Sequence, residues 1–192
     1  RRVIQLLLSV DPSNAYALEQ LGLLELKSGQ FLKSENYFEL SLALDPQRWM
    51  ALNGLGVVAD SQKRFGEAEI YFQRGLAIVP GHPKILANLG WSKVLAGELT
   101  EAQTLLQDSL QIAPDAMTTR SNLAFCIALQ GRYEEALALY ASLYGDSVAA
   151  NNVGYAAIIR DDFSMARKYL GEAIDLNPSY YRRAANNLLG VK

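Results

Sequence analysis

Four prolines, Pro12, Pro46, Pro80 and Pro114, stand 34 residues apart, and Gly22, Gly56, Gly90 and Ala124 keep the same step. A fixed period of about 20 to 50 residues marks a stacked array, in which each unit buries its apolar face only against its neighbours. The chain is therefore expected to be a series of helical hairpins whose work is to present a surface.

Aligned on that period, the repeats are residues 15–48, 49–82, 83–116, 117–146 and 147–180. Position 7 of each is Leu21, Leu55, Leu89, Leu123 and Val153, and position 8 is Gly22, Gly56, Gly90, Ala124 and Gly154. Position 20 is again small, at Ser34, Ala68, Ala102, Ala136 and Ala166. Position 24 is large, at Phe38, Phe72, Leu106, Tyr140 and Leu170. Small side chains at position 8 let two helix backbones approach, and large ones at position 24 fill the gap between hairpins. A proline at position 32 closes the second helix in every repeat but the fourth. These residues resemble the tetratricopeptide repeat over nearly the whole chain. The resemblance implies an all-α fold, a right-handed α-solenoid of helix-turn-helix repeats running through residues 1–192 as one body.

Helical spacing of apolar residues, as at Leu18, Leu21 and Leu24 and at Phe31, Phe38 and Leu42, supports the same register. Short turns divide the helices at Ser28-Gly29-Gln30, Gln62-Lys63-Arg64, Gly97-Glu98, Gly131-Arg132 and Asp161-Asp162. Residues 1–14 read as the second helix of an incomplete hairpin, with Val3, Ile4, Leu6, Leu7 and Leu8 apolar before Asp11-Pro12. Residues 179–192 read as a terminal helix capped by Ser179, with Ala184, Ala185, Leu188 and Leu189 covering the last hairpin. The array is thus expected to be closed at its C-terminus and open at its N-terminus, with a natural start upstream of residue 1.

Chemistry is hard to assemble from this inventory. His82, the one histidine, lies between Gly81 and Pro83 in an inter-repeat turn, away from Cys126, so no metal site is expected and the residue reads as an exposed loop side chain without partners. Cys126 reads as packing. Gly54-Leu55-Gly56-Val57-Val58-Ala59 matches a dinucleotide-binding glycine pattern, but it falls in the middle of a first helix instead of between a strand and a helix. No nucleophile, base and orienting group share a face, so no enzyme and no cofactor is expected. A net charge of −2 gives no basis for binding nucleic acid, and no apolar run reaches the ~18 residues of a membrane span.

In arrays of this family the first helices line the inner, concave face. Position 9 there is Leu23, Val57, Trp91, Phe125 and Tyr155, and the last three would form an aromatic stripe for apolar side chains of a partner. Position 6 is Gln20, Gly54, Asn88, Asn122 and Asn152, and position 5 adds Asn53 and Asn151. Side-chain amides both donate and accept, so stacked asparagines suit the backbone of an extended peptide; this resembles the asparagine ladder of peptide-binding arrays. The competing readings are that the rings pack on neighbouring helices and that the amides tie neighbouring repeats together. A carboxylate clamp is not expected, since only Lys27 and Lys84 bring cations to this face.

The fourth repeat departs from the period, because Ala124 to Gly154 is 30 residues and not 34. The deficit predicts a second helix about one turn short, ended near Tyr144 by Gly145. The run from Ser121-Asn122-Leu123-Ala124 through Gly131-Arg132-Tyr133-Glu134-Glu135-Ala136, then Gly145-Asp146-Ser147, Asn151-Asn152-Val153-Gly154-Tyr155-Ala156 and Asn177-Pro178-Ser179-Tyr180-Tyr181, is similar to the C-terminal part of the TadD family. Those are tetratricopeptide lipoproteins of the tight-adherence (Flp) pilus machinery. The resemblance implies a periplasmic protein held at the outer membrane, acting as an assembly factor or pilotin for an outer-membrane secretin subunit, with a lipid anchor upstream of residue 1. Two other readings stay open: a cytosolic co-chaperone or regulatory scaffold, and a repeat domain of a larger enzyme.

Overall fold

The computed structural model describes residues 2–177, 186 and 187, apart from the side chain of residue 5. All secondary structure among them is helical and falls into two compact units, Arg1–Gly97 and Glu98–Lys192. The first holds α1 (Arg2–Val10), α2 (Ala15–Lys27), α3 (Phe31–Leu44), α4 (Trp49–Ser61), α5 (Phe65–Ile78) and α6 (Pro83–Ala96). The second holds α7 (Leu99–Ile112), α8 (Met117–Leu129), α9 (Tyr133–Tyr144), α10 (Asp146–Ile159) and α11 (Phe163–Leu176). The division falls within the third repeat, which gives its first helix to one unit and its second to the other.

Helix follows hairpin in the expected register, with α2 packed on α3, α4 on α5, α8 on α9 and α10 on α11. Within each unit the first helices of successive repeats also pack on one another, α2 on α4, α4 on α6 and α8 on α10. The second helices of successive repeats meet through side chains, as where Tyr133 of α9 packs on Tyr169 of α11 at 6.0 Å and Glu134 accepts from the Tyr169 hydroxyl, so the first helices form the layer of closer backbone approach, the inner layer of each unit.

Position 24 explains the hairpin. Phe38 and Phe72 are fully buried, each contributing ~1.5–3 kcal/mol by burial, and each ring packs against a glycine. A Cβ added at Gly22 would stand 2.6 Å from the Phe38 ring, and one added at Gly56 would stand 2.5 Å from the Phe72 ring. Gly154 repeats the arrangement under Leu170, at 2.7 Å. Position 8 is thus small to seat a side chain from position 24, more than to bring backbones together. Gly54, at position 6, lies at the Cζ end of the Phe38 ring, where an added Cβ would clash with Cε2 and Cζ. Leu23, Leu26, Leu42 and Tyr71 complete this cluster around Phe38, Ala51 and Leu55. Ser34 ties the same hairpin by donating its hydroxyl to the Gly22 carbonyl at 2.9 Å.

The fourth repeat corrects one expectation. Helix α9 ends at Tyr144, as anticipated, but it has 12 residues where α3, α5, α7 and α11 have 14. The helix loses about half a turn, and the connection loses the rest: Gly145 alone separates α9 from α10. Its backbone, at φ 83° and ψ 165°, lies in a region open essentially to glycine alone. One residue therefore both ends a helix and starts the next, its amide bonded to the Ala141 carbonyl and its carbonyl to the Ala149 amide.

At the N-terminal end of the described residues α1 packs on α2, with Val3, Leu6 and Val10 exposed. The terminal helix expected at 180–189 lies outside the described residues except for 186 and 187, which are helical.

Candidate functional site

The residues singled out on the first helices divide between the units. Leu23, Asn53, Asn88 and Trp91 belong to the first, and Asn122, Phe125, Asn152 and Tyr155 to the second.

In the first unit the inner layer is occupied largely by its own polar ties. Glu19, at position 5, is fully buried and accepts two hydrogen bonds from the Arg48 guanidinium, at 2.7 and 3.1 Å; the carboxylate raises the Arg48 pKa further, chiefly through the hydrogen bond. Asn53 is 4% exposed and accepts from the Asn88 side chain at 2.8 Å. These two asparagines therefore join α4 to α6. One turn further along α6, Ser92 donates to Asp60 of α4 at 2.6 Å, and burial pushes the Asp60 carboxyl up to about 6. Leu23 packs into the Phe38 cluster, and Val57 and Trp91 are half-buried.

His82 is not the exposed, partnerless loop residue expected. Its ring centroid is 4.1 Å from that of Trp49, at 41°, and its Nδ1 is buried without a hydrogen bond. The two residues begin successive first helices, His82 as the N-cap of α6 and Trp49 as the first residue of α4. Stacking of the repeats sets one helix start over the other.

In the second unit the same layer is apolar. Phe125 on α8 and Tyr155 on α10 stack with centroids 6.4 Å apart and planes 20° from parallel, inside the 4.5–7 Å range of attractive aromatic pairs. Tyr155 is nevertheless 47% exposed. Ile159, one turn along α10, is 50% exposed and was not singled out from the sequence. The signal was present at position 13, which reads Lys27, Ser61, Leu95, Leu129 and Ile159 and turns apolar from the third repeat onward.

The asparagines of this unit are partly spent. Asn151 is 2% exposed, donates to Asn152 at 3.4 Å and accepts from Asn187 at 3.1 Å. Asn122 is half-buried and makes no side-chain hydrogen bond among the described residues. Cys126 is fully buried, its thiol donating to the Leu99 carbonyl at 3.3 Å, and burial pushes its pKa up; a thiol so held is packing, not a nucleophile.

Two models described as tetratricopeptide repeat match the sequence, at residues 6–83 and 93–144, together about two-thirds of the chain. The chain belongs to the tetratricopeptide-repeat family. The fifth repeat lies beyond both matches, yet the Gly154 seat under Leu170 marks it as a unit of the same kind. No curated protein matches the chain in sequence. Among solved structures it is similar to YrrB, a tetratricopeptide protein with an unusual peptide-binding site, at 20% identity and a TM-score of 0.67 over 95% of this chain and 96% of that one. It is similar also to PilF of Pseudomonas aeruginosa, at 20% identity and a TM-score of 0.69 over 91% and 82%. An O-GlcNAc transferase of Thermobaculum terrenum matches at 24% identity and a TM-score of 0.59, over 75% of this chain but 26% of that one. At such identities the likeness is one of fold. Tetratricopeptide arrays generally mediate protein–protein interaction, and no helix among the described residues is long and apolar enough to cross a membrane.

Proposed function

We propose that this tetratricopeptide array is a non-enzymatic adaptor that holds a partner polypeptide on its first-helix face. The observation that carries the reading is the Phe125–Tyr155 stack, which is ordered by an internal contact yet leaves nearly half of Tyr155 open. A rigid aromatic with exposed area gives a partner much contact for little lost side-chain freedom. The peptide-binding site of YrrB supports a ligand of this class.

The finer proposal is a place in pilus or secretion assembly, at the periplasmic side of an outer membrane, with a secretin subunit as partner. It rests on the similarity of residues 121–181 to the TadD family. The test is calorimetric titration of a secretin segment against the full chain and its Tyr155→Ala and Asn122→Ala variants. Loss of a ring is expected to weaken binding by ~2 kcal/mol, as for a hot spot. Lys168→Ala, on α11, is expected to do little. Weakening by Lys168→Ala alone would place the site on the second helices and end the proposal.

A further inference from the structure

We propose that the partner seated on the second unit is an amphipathic helix with an uncharged apolar stripe, not an extended strand; the inference rests on the adaptor reading above. Three observations carry it. The first is how the asparagines are used. An extended segment needs its backbone N–H and C=O groups satisfied by its host, and the residues placed to do so are in part committed elsewhere. Asn53 and Asn88 bond to each other, and Asn151 is buried between Asn152 and Asn187. That leaves Asn122, which has no side-chain partner among the described residues, and the amide N–H groups of Asn152, fewer amides than a ladder through successive repeats uses. A helix satisfies its own backbone and asks nothing of these groups.

The second observation is charge. Helices α8 and α10 carry only Arg120 and Asp146, both near their N-terminal ends, and nothing charged from Ser121 to Leu129 or from Ser147 to Ile159. The corresponding helices of the first unit hold Glu19, Glu25, Lys27, Asp60 and Lys93 in that part of the repeat. An uncharged face discriminates against a charged segment, whose desolvation it could not offset. The third is spacing. Tyr155 and Ile159 are one helical turn apart on α10 and both about half exposed, with Phe125 beside them on α8. Two packed helices leave a groove between their side-chain ridges, and a third helix meets such a groove with apolar residues at i, i+3, i+4 and i+7.

The test uses two synthetic peptides of identical leucine, alanine and glutamine composition, each about four helical turns long, labelled for fluorescence anisotropy with the full chain. One sets leucine at i, i+3, i+4 and i+7, the other at alternate positions. The helical pattern is expected to bind the more tightly, to weaken about tenfold or more with Tyr155→Ala or Ile159→Gln, and to be unmoved by Asn122→Ala. Both replaced side chains are half exposed, and circular dichroism checks that the variants stay folded. Tighter binding of the alternating peptide, or an Asn122→Ala loss equal to that of Tyr155→Ala, overturns the helical partner while leaving the adaptor reading intact. Binding of neither peptide overturns it too, and the secretin titration then judges the adaptor reading separately.

Discussion

Position 15 of every repeat carries a positive φ: Gly29 at 70°, Lys63 at 60°, Gly97 at 83°, Gly131 at 85° and Asp161 at 59°. Three repeats use glycine for the left-handed turn between helices, and two hold an ordinary side chain there against a cost of ~1–2 kcal/mol. Lys63→Gly is therefore expected to raise stability by a few tenths to ~1 kcal/mol, the gain being reduced by the greater freedom of unfolded glycine. Gly29→Ala is expected to lower it by ~1 kcal/mol through backbone strain alone, since an added Cβ meets nothing within 4 Å. Urea unfolding curves read both. Asp60 gives a pH dependence. Its folded pKa of about 6 lies above the ordinary 3.8, so the folded state holds the proton more tightly. The stabilisation is complete below the ordinary value, is lost as pH rises through about 6 and stays lost above it. Asp60→Asn, which keeps an acceptor for Ser92, is expected to raise the melting temperature at pH 7 and to remove this slope. An unchanged slope between pH 4 and 7 would assign it to other groups. The sequence showed that positions 8 and 24 were small and large, but not that one seats the other. Nor did it show that Gly54 shares the Phe38 seat, because size restrictions do not say which side chains face.

The junction between α9 and α10 shows how much of an element is legible in the period. The deficit of four residues was plain in the spacing, and so was the terminator Gly145. How helix and connection divide the loss was not, because it depends on one residue adopting a conformation that serves two helices. Gly145→Ala is expected to cost ~1–3 kcal/mol, although a Cβ has open space there. A thermal melt unchanged by this substitution would contradict the backbone account. His82 teaches the complementary lesson at a helix start. Its contact with Trp49, 33 residues away, exists only once two repeats are stacked, so a reading of the turn by itself finds no partner for it. His82→Ala is accordingly expected to lower stability measurably, by ~0.5–1.5 kcal/mol for a lost aromatic pair, where the sequence alone suggested no change.

At the scale of the molecule, the repeat fold was legible because the sequence states it five times over, and an error at one position is corrected by the other four. The candidate site is stated at most twice in either unit, and its residue types serve packing as readily as binding. Leu23 and Tyr155 occupy the same register position, yet one is partly buried against the Phe38 cluster and the other half open; only the packing around each tells them apart. The polar ties of the first unit and the uncharged face of the second give the two units different inner layers, and on the proposed function partner binding belongs to the second. Hydrogen–deuterium exchange of the full chain with and without a bound secretin segment tests that assignment most directly. Added protection is expected in peptides covering 118–130 and 148–160, the first helices, with 133–144 and 163–176 unchanged. Protection confined to those second helices, or to α2 and α4 of the first unit, would contradict it.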